Sequence, residues 1–316
     1  MSYKIRVGIS ACLLGQEVRY NGGHCQSILC LKTLSEFFEY RTFCPEVAAG
    51  FSIPRPTMRL TGDPAKPKLS YSDDHSVDVS DKLIAASQEV MPAMKDLYGY
   101  ILMKNSPSCG MERIKVYQDN GHPHMKKRDG LFTEQLRKSY PNMPIEEEGR
   151  LNDKPLYENF VLRVFCYHEW REQVYKNVSK AAIIKFHSRH KFILQAHNYD
   201  KTVALGRMLA SIHKMDLVEV AQDYEQRFME ILAKPASKAG HCNVMMHILG
   251  FLKKTVDSQS RQDLITVIKR YRKGEIPLIT PITLLKHYTP RFGGDYINSQ
   301  SYFDPYPGSL GLRNTL

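Results

Sequence analysis

The chain has 316 residues, 42% of them hydrophobic, with seven cysteines and a net charge of +11. That length accommodates about two domains with buried cores, and no apolar run approaches the roughly 18 residues a membrane helix needs. With no secretory leader in Met1-Ser2-Tyr3-Lys4 and an odd number of cysteines, metal-binding or catalytic thiols are favoured over disulfides, and a cytoplasmic location is expected.

In chain order, the first half alternates strand-like and helical segments. Ile5-Arg6-Val7-Gly8-Ile9 reads as a buried strand. Ser27 to Phe38 has helical spacing through Ile28, Leu29, Leu31, Leu34, Phe37 and Phe38, and Tyr40-Arg41-Thr42-Phe43 is a second strand. Residues 51–72, with Pro54, Pro56, Pro64 and Pro67, read as one long loop. Asp81 to Leu97 is a second helix, and Tyr100-Ile101-Leu102-Met103 a third strand. Strands separated by helices predict a parallel sheet of Rossmann-like α/β type. The second half changes character. From Leu156 to His213 there is hardly a Gly or Pro apart from Gly206, and apolar residues recur at helical spacing, as at Phe186, Ile193, Leu194 and Ala196. Further helices are expected over Leu217–Leu232, Val244–Leu252 and Gln262–Arg272, and the tail from Pro277 is expected to wrap over the body. The organisation read from this pattern is an α/β domain over 1–155, a connecting helix over 156–178 and an all-α domain over 179–316.

Charge divides along the same line. Up to Pro155 there are 21 Lys+Arg against 19 Asp+Glu; from Leu156 onward there are 23 against 14. The excess of cations in the second half suits either a polyanionic partner or a solvated basic surface.

Three cysteines follow the three strands: Cys12, Cys44 and Cys109. Parallel strands deliver the loops after their C-terminal ends to one crevice, so these thiols are expected to meet. Small and polar neighbours such as Ser10, Asn105, Ser106 and Ser108 supply hydrogen-bond donors and room for a ligand, and Lys104 favours thiolate. Three thiols with no paired spacing suit a metal cluster with one open position; zinc also accepts three thiolates, but a structural zinc closes with a fourth ligand. Cys30, Cys166 and Cys242 read as packing residues, and loop-borne Cys25 as an alternative fourth ligand.

Several strings together resemble the thiouracil desulfidase (TudS-type) family: Ser10-Ala11-Cys12-Leu13-Leu14-Gly15, Val18-Arg19-Tyr20-Asn21-Gly22, Cys44-Pro45-Glu46, Pro54-Arg55-Pro56, Ser106-Pro107-Ser108-Cys109-Gly110 and Glu147-Glu148-Gly149-Arg150-Leu151. His187-Ser188-Arg189-His190-Lys191 and the tail Tyr302 to Asn314 resemble the helical YbgA-type domain fused to it. The resemblance implies a 4Fe–4S cluster held by Cys12, Cys44 and Cys109, whose fourth iron binds the sulfur of a thiolated pyrimidine. It further implies exchange of that sulfur for water oxygen with release of hydrogen sulfide. In two-domain members the implied substrate is 4-thiouridine, as a nucleotide or within transfer RNA. One departure is Met58-Arg59-Leu60 where Ala-Glu-Ile is expected; a cation there suits a phosphate-bearing substrate.

Hydrolysis of a thiocarbonyl needs a polarised sulfur, a base for water and an acid for the leaving group. Glu46, two residues from Cys44, is the candidate acid/base, against the alternative of a surface carboxylate at the next helix. Ser106 is expected to orient water or the ring carbonyl, and Lys104 to hold a ring oxygen or phosphate. Ser10, Asn105, Ser108, Arg55 and Arg59 are the expected substrate contacts. In the second half, Lys269, Arg270, Arg272 and Lys273 are expected to contact RNA phosphates, the alternative being cations at a helix end before Gly274. His187, His190 and His197 share a helix face and are expected in caps, core or phosphate contacts rather than at a metal. The competing function is a non-catalytic, nucleic-acid-binding redox sensor, which needs no acid/base beside its cluster. Sulfur insertion into RNA would need ATP, and no G-x-x-x-x-G-K loop is found.

Overall fold

A computed structural model of the chain describes residues 4–314; Met1, Ser2 and Tyr3, where no leader is read, lie outside them. In the first unit, Met1–Asn152, four strands form one parallel sheet. β1 (Ile5–Ser10), β2 (Phe38–Phe43), β5 (Tyr100–Leu102) and β7 (Ile145–Glu147) lie in the order β2-β1-β5-β7. The chain leaves β1 for β2 on one side and returns to β5 on the other, so the order reverses at β1. Ligands bind outside the carboxyl ends of strands at such a switch point. Val7, Ile9, Tyr100, Ile101 and Leu102 are fully buried, as a sheet covered on both faces requires. Gly8 is needed there, because a Cβ would sit 2.3 Å from the ring of Tyr100.

Two local expectations fail. Ser27 to Phe38 is not a regular α-helix: residues Leu29–Thr33 are wound as π-helix and Leu34–Glu36 as 3₁₀-helix. Ser27 and Ser35 account for part of this. The Ser27 hydroxyl accepts from the Cys30 N–H and that of Ser35 donates to the Leu31 carbonyl, offering the backbone alternatives to the helical ladder. The supposed loop over 51–72 contains an antiparallel pair, β3 (Met58–Thr61) and β4 (Lys68–Tyr71), completed by β6 (Val116–Tyr117) in a second sheet ordered β4-β3-β6. Its prolines lie outside the strands, while Leu60, Leu69 and Val116 turn inward to a core with Leu83 and Ile114. The short helix α1 (Pro45–Ala48), α2 (Ser80–Val90) and α3 (Leu131–Ser139) complete this unit.

The second unit, Asp153–Leu316, is helical. α4 (Lys154–Gln173), α5 (Lys180–His197), α6 (Tyr199–Ala210), α7 (Leu217–Ile231), α8 (Lys238–Phe251) and α9 (Ser258–Lys273) each begin at a side chain that accepts a first-turn N–H. These caps are Asp153, Ser179, Asn198, Asp216, Ser237 and Asp257, each replacing a bond the helix start cannot make itself. The helix expected as a connector, α4, is part of this unit's core. Trp170 is buried, stacks on Tyr224 at 4.8 Å and donates to Glu225 Oε2 at 2.8 Å. The tail is helical over α10 (Ile279–Phe292) and α11 (Gly294–Asn298), then folds back so that buried Arg313 pairs with Glu158 at 3.0 Å. No helix of the described residues is long and apolar enough to cross a membrane.

Candidate active site

The ends of β1, β2 and β5 open into a cavity of about 450 Å³ lined by Cys12, Cys44 and Cys109. Each thiol is placed by a different local device. Cys12 sits in a 3₁₀ turn directly after β1 that Gly15 closes in the left-handed conformation. Cys44 precedes α1, where the Glu46 and Val47 backbone N–H groups face its sulfur. Cys109 ends a loop held by Ser106, whose hydroxyl accepts from the N–H groups of Ser108 (3.2 Å) and Cys109 (3.1 Å).

That loop is also bound to α3. The Leu131 and Phe132 N–H groups donate to the Pro107 and Ser108 carbonyls at 3.1 and 3.0 Å, and the Thr133 hydroxyl donates to the Cys109 carbonyl at 2.7 Å. The ligand loop therefore satisfies orphan donors of the helix. Gly130 permits the approach, since a Cβ there would lie 2.5 Å from the Ser108 carbonyl oxygen.

Burial pushes the Cys12 thiol up to about 12, with Cys44 and Cys25 adding to the effect. Cys44 is likewise raised, first by burial, and Cys109 far more so. Thiols in this setting stay protonated unless a cationic centre claims them. No three His, Cys, Asp or Glu side chains among the described residues converge tightly enough for a single metal ion. An all-sulfur set spread around one cavity fits a cluster, whose irons take one thiolate each, better than a zinc ion. Tyr100 belongs to the same environment: its buried hydroxyl has no hydrogen-bond partner among the described residues, and burial and then Cys109, Cys44 and Cys12 raise it.

Beside the thiols lies a buried ion pair. Glu46 Oε2 accepts from Arg55 Nε at 2.8 Å and also meets Arg55 Nη2, while Glu46 Oε1 accepts from the Ser108 hydroxyl at 2.8 Å. Arg55 also donates to the carbonyls of Ser52 (3.1 Å) and Val18 (2.8 Å). Its side chain is 3% exposed and that of Glu46 13%. Glu46 thus lines the cavity with both oxygens fixed. Arg55 and Ser108, expected as substrate contacts, both hold Glu46: Ser108 is fully buried and does not line the cavity, whereas Arg55, largely buried, still lines it. Ser10 lines the cavity but is also engaged, accepting from the Met103 N–H at 2.9 Å and bonding the Cys109 thiol. Asn105, in the left-handed conformation at φ 58°, and Lys104 reach the same space. Lys104 is half exposed and 4.0 Å from Glu148. Arg59 does not line this cavity; it lies over the Tyr117 ring at 4.9 Å and lines an adjoining recess.

Arg19, Tyr20 and Cys25 also line the cavity, and none was expected as a firm contact. The Cys25 N–H donates to the Cys12 carbonyl at 3.0 Å, which brings the loop thiol in. Cys30 and Cys166 are buried outside the cavity, as is Cys242. In the second unit, Arg270, Arg272 and Lys273 occupy the last turn of α9, ended by Gly274 at φ 80°, and Lys269 lies just before it. Arg270 and Lys273 reach Glu275 at 3.1 and 3.9 Å, and Tyr271 is buried. The three histidines of α5 are used internally: His187 meets the Tyr224 hydroxyl, His190 the Phe186 carbonyl and His197 the Ile193 carbonyl.

The family model described as 2-thiouracil desulfurase matches residues 7–148. The first unit belongs to the 2-thiouracil desulfurase family. A second model, for a protein family of unknown function (DUF1722), matches 191–307 in the helical unit, so the chain joins a desulfurase unit to a DUF1722 unit. YbgA of Escherichia coli K12, an uncharacterised protein, is 32% identical over 159 residues, covering 50% of this chain and 94% of that protein. YbbK of Bacillus subtilis 168, also uncharacterised, is 32% identical over 151 residues, 46% of this chain and 97% of that one. The [4Fe-4S]-dependent thiouracil desulfidase TudS is a solved structure similar to the chain at 27% identity. It covers 49% of this chain and 98% of its own, with a TM-score of 0.39.

Proposed function

We propose that this desulfurase-family chain removes sulfur from a thiolated pyrimidine, with 4-thiouridine as nucleotide or within transfer RNA as the substrate. The observation that carries the reading is the meeting of three strand-end thiols and a fixed, partly buried carboxylate in one cavity. A sensor needs no such carboxylate.

Cys12, Cys44 and Cys109 would hold a 4Fe–4S cluster. When bound, the cluster supplies an open iron able to polarise the substrate sulfur. The chain's own residues do the rest. Arg55 and Ser108 hold Glu46 so that its free lone pairs are available to the cavity. Glu46 takes a proton from the attacking water and returns it to the departing sulfur. Carbon–sulfur is exchanged for carbon–oxygen, one water is consumed and one hydrogen sulfide released, with no electron gained or lost. Asn105 and Lys104 line the side where ring oxygens would lie, and Ser106 holds the Cys109 loop in place. In the helical unit, Lys269 and Arg272 remain without a carboxylate partner among the described residues, which supports phosphate contact there.

The test is anaerobic reconstitution followed by sulfide measurement with thiolated uracil, nucleoside, nucleotide and RNA. Sulfide release that depends on the reconstituted cluster is expected. A loaded protein that releases none from any of them refutes the reading.

A further inference from the structure

Within the helical unit, the start of α4, the end of α5, the start of α8, the end of α9 and the returning tail enclose a cavity of about 150 Å³. Part of its lining is apolar, with Leu162, Ile193, Ala196, Leu278 and Leu312. The rest is polar, and much of it is already satisfied. His197 meets the Ile193 carbonyl and Asn159 Oδ1, Asn159 donates to the Leu232 carbonyl, and Arg313 donates to Glu158 and to the Tyr302 carbonyl. Two further lining side chains, each more than nine-tenths buried, keep a polar end without a partner among the described residues. They are Tyr271, whose hydroxyl makes no hydrogen bond, and His241, which meets the Tyr302 hydroxyl through Nδ1 at 3.0 Å and has nothing on Nε2. Their rings stand 6.3 Å apart, edge to face. Buried polar ends of this kind cost stability unless a guest in the cavity answers them.

Charge narrows what that guest is. Lys154, Lys238 and Arg313 line the cavity against a single carboxylate, Glu158, which Arg313 pairs at 3.0 Å. Lys154 and Lys238 have no ion-pair partner among the described residues. They are the first residues of α4 and α8, where a cation has the wrong sign for the helix dipole, so lysines and helix starts together favour an anion. Lys238 reaches over to the end of α9: a Cβ on Gly274 would stand 3.0 Å from its Nζ, three residues beyond Tyr271. Burial first, then Arg313, keep His241 neutral. With the Tyr302 hydroxyl donating to Nδ1, His241 Nε2 carries the ring proton and is a donor. A cavity of this volume holds a benzene-sized body. We propose that it binds a small organic carboxylate with an apolar body of that size, one carboxylate oxygen accepting from the Tyr271 hydroxyl and the other from His241 Nε2, with Lys238 balancing the charge. A phosphate ester fits less well, because it brings a second negative charge and a third oxygen to a wall with two such donors. Nothing in this site depends on the sulfur chemistry proposed for the first unit.

The experiment is calorimetric titration of the full chain with benzoate, benzamide and phenyl phosphate, repeated on Tyr271→Phe and Lys238→Gln. Both substitutions spare the fold, since one removes an unbonded hydroxyl and the other alters an exposed side chain. Benzoate is expected to bind the wild type with a Kd of about 1 mM or lower, and benzamide and phenyl phosphate about tenfold or more weakly. Tyr271→Phe should weaken benzoate about tenfold, as when a hydrogen bond to a charged group is lost, and narrow its lead over benzamide. Lys238→Gln should weaken benzoate about threefold at low salt and less at high salt. Absence of benzoate binding to the wild type, binding that neither variant weakens, or a preference for phenyl phosphate over benzoate overturns the proposal.

Discussion

Arg55→Met tests whether the arginine positions Glu46 or touches substrate. The change keeps an unbranched side chain of similar length and removes the guanidinium that holds Glu46 Oε2. Breaking a buried pair by removing one partner costs about 3–5 kcal/mol. With Glu46 13% exposed and still bonded by Ser108, the lower end of that range is expected. Because misplacing a reacting group lowers turnover, kcat should fall about tenfold or more with KM nearly unchanged. Denaturation followed by the visible absorbance of the loaded cluster reports stability, and sulfide release reports kcat and KM. Adding Glu46→Gln should recover most of the lost stability, since a neutral amide needs no counter-ion. A raised KM, with kcat and stability as in the wild type, would show that Arg55 binds substrate and refute the positioning role.

Replacing Cys12, Cys44 or Cys109 with Ala should abolish both bound iron and activity, whereas Cys30→Ala, Cys166→Ala and Cys242→Ala should keep both; iron and sulfide analysis decides. Glu46→Gln should retain the cluster but lose about 100-fold in turnover, as when a positioned acid/base is removed, and normal turnover would mean another group moves the proton. Replacing Lys269, Arg270, Arg272 and Lys273 together with Ala should weaken transfer RNA binding and flatten its salt dependence; an unchanged slope makes the run an ordinary helix end. The helical unit should lose stability in acid. Burial, then Lys191 and His190, push His187 down to about 4, and burial, then Arg313, hold His241 well below its ordinary value. An unfolded chain takes up these protons first, so this stability is present above about 6.5 and is lost as pH falls towards about 4. Helical melts between these limits should show the loss, and His187→Gln with His241→Gln should reduce it.

Some of this was legible in the sequence for identifiable reasons. The strand ends carrying Cys12, Cys44 and Cys109 could be read because short apolar runs precede them, and a parallel sheet leaves their loops few places to go. The helices of the second half were visible because their spacing is regular; the capping residues at Asp153 through Asp257 could have fixed their starts. The small sheet was missed because prolines crowd its flanks, which masks two four-residue strands. The roles of Arg55 and Ser108 could not be read, since a residue type does not reveal which partner has already claimed its donors.

The bonds from the start of α3 to the Pro107 and Ser108 carbonyls join a helix to the loop that presents Cys109. Neither can loosen alone: opening the loop strips the helix of acceptors, and fraying the helix frees the loop. The amide protons of Leu131 and Phe132 are therefore a built-in gauge of that loop. Their exchange with solvent deuterium should slow when the Cys109 sulfur is bound and quicken when it is not, so that loading can be followed from the backbone, without any colour or catalytic turnover.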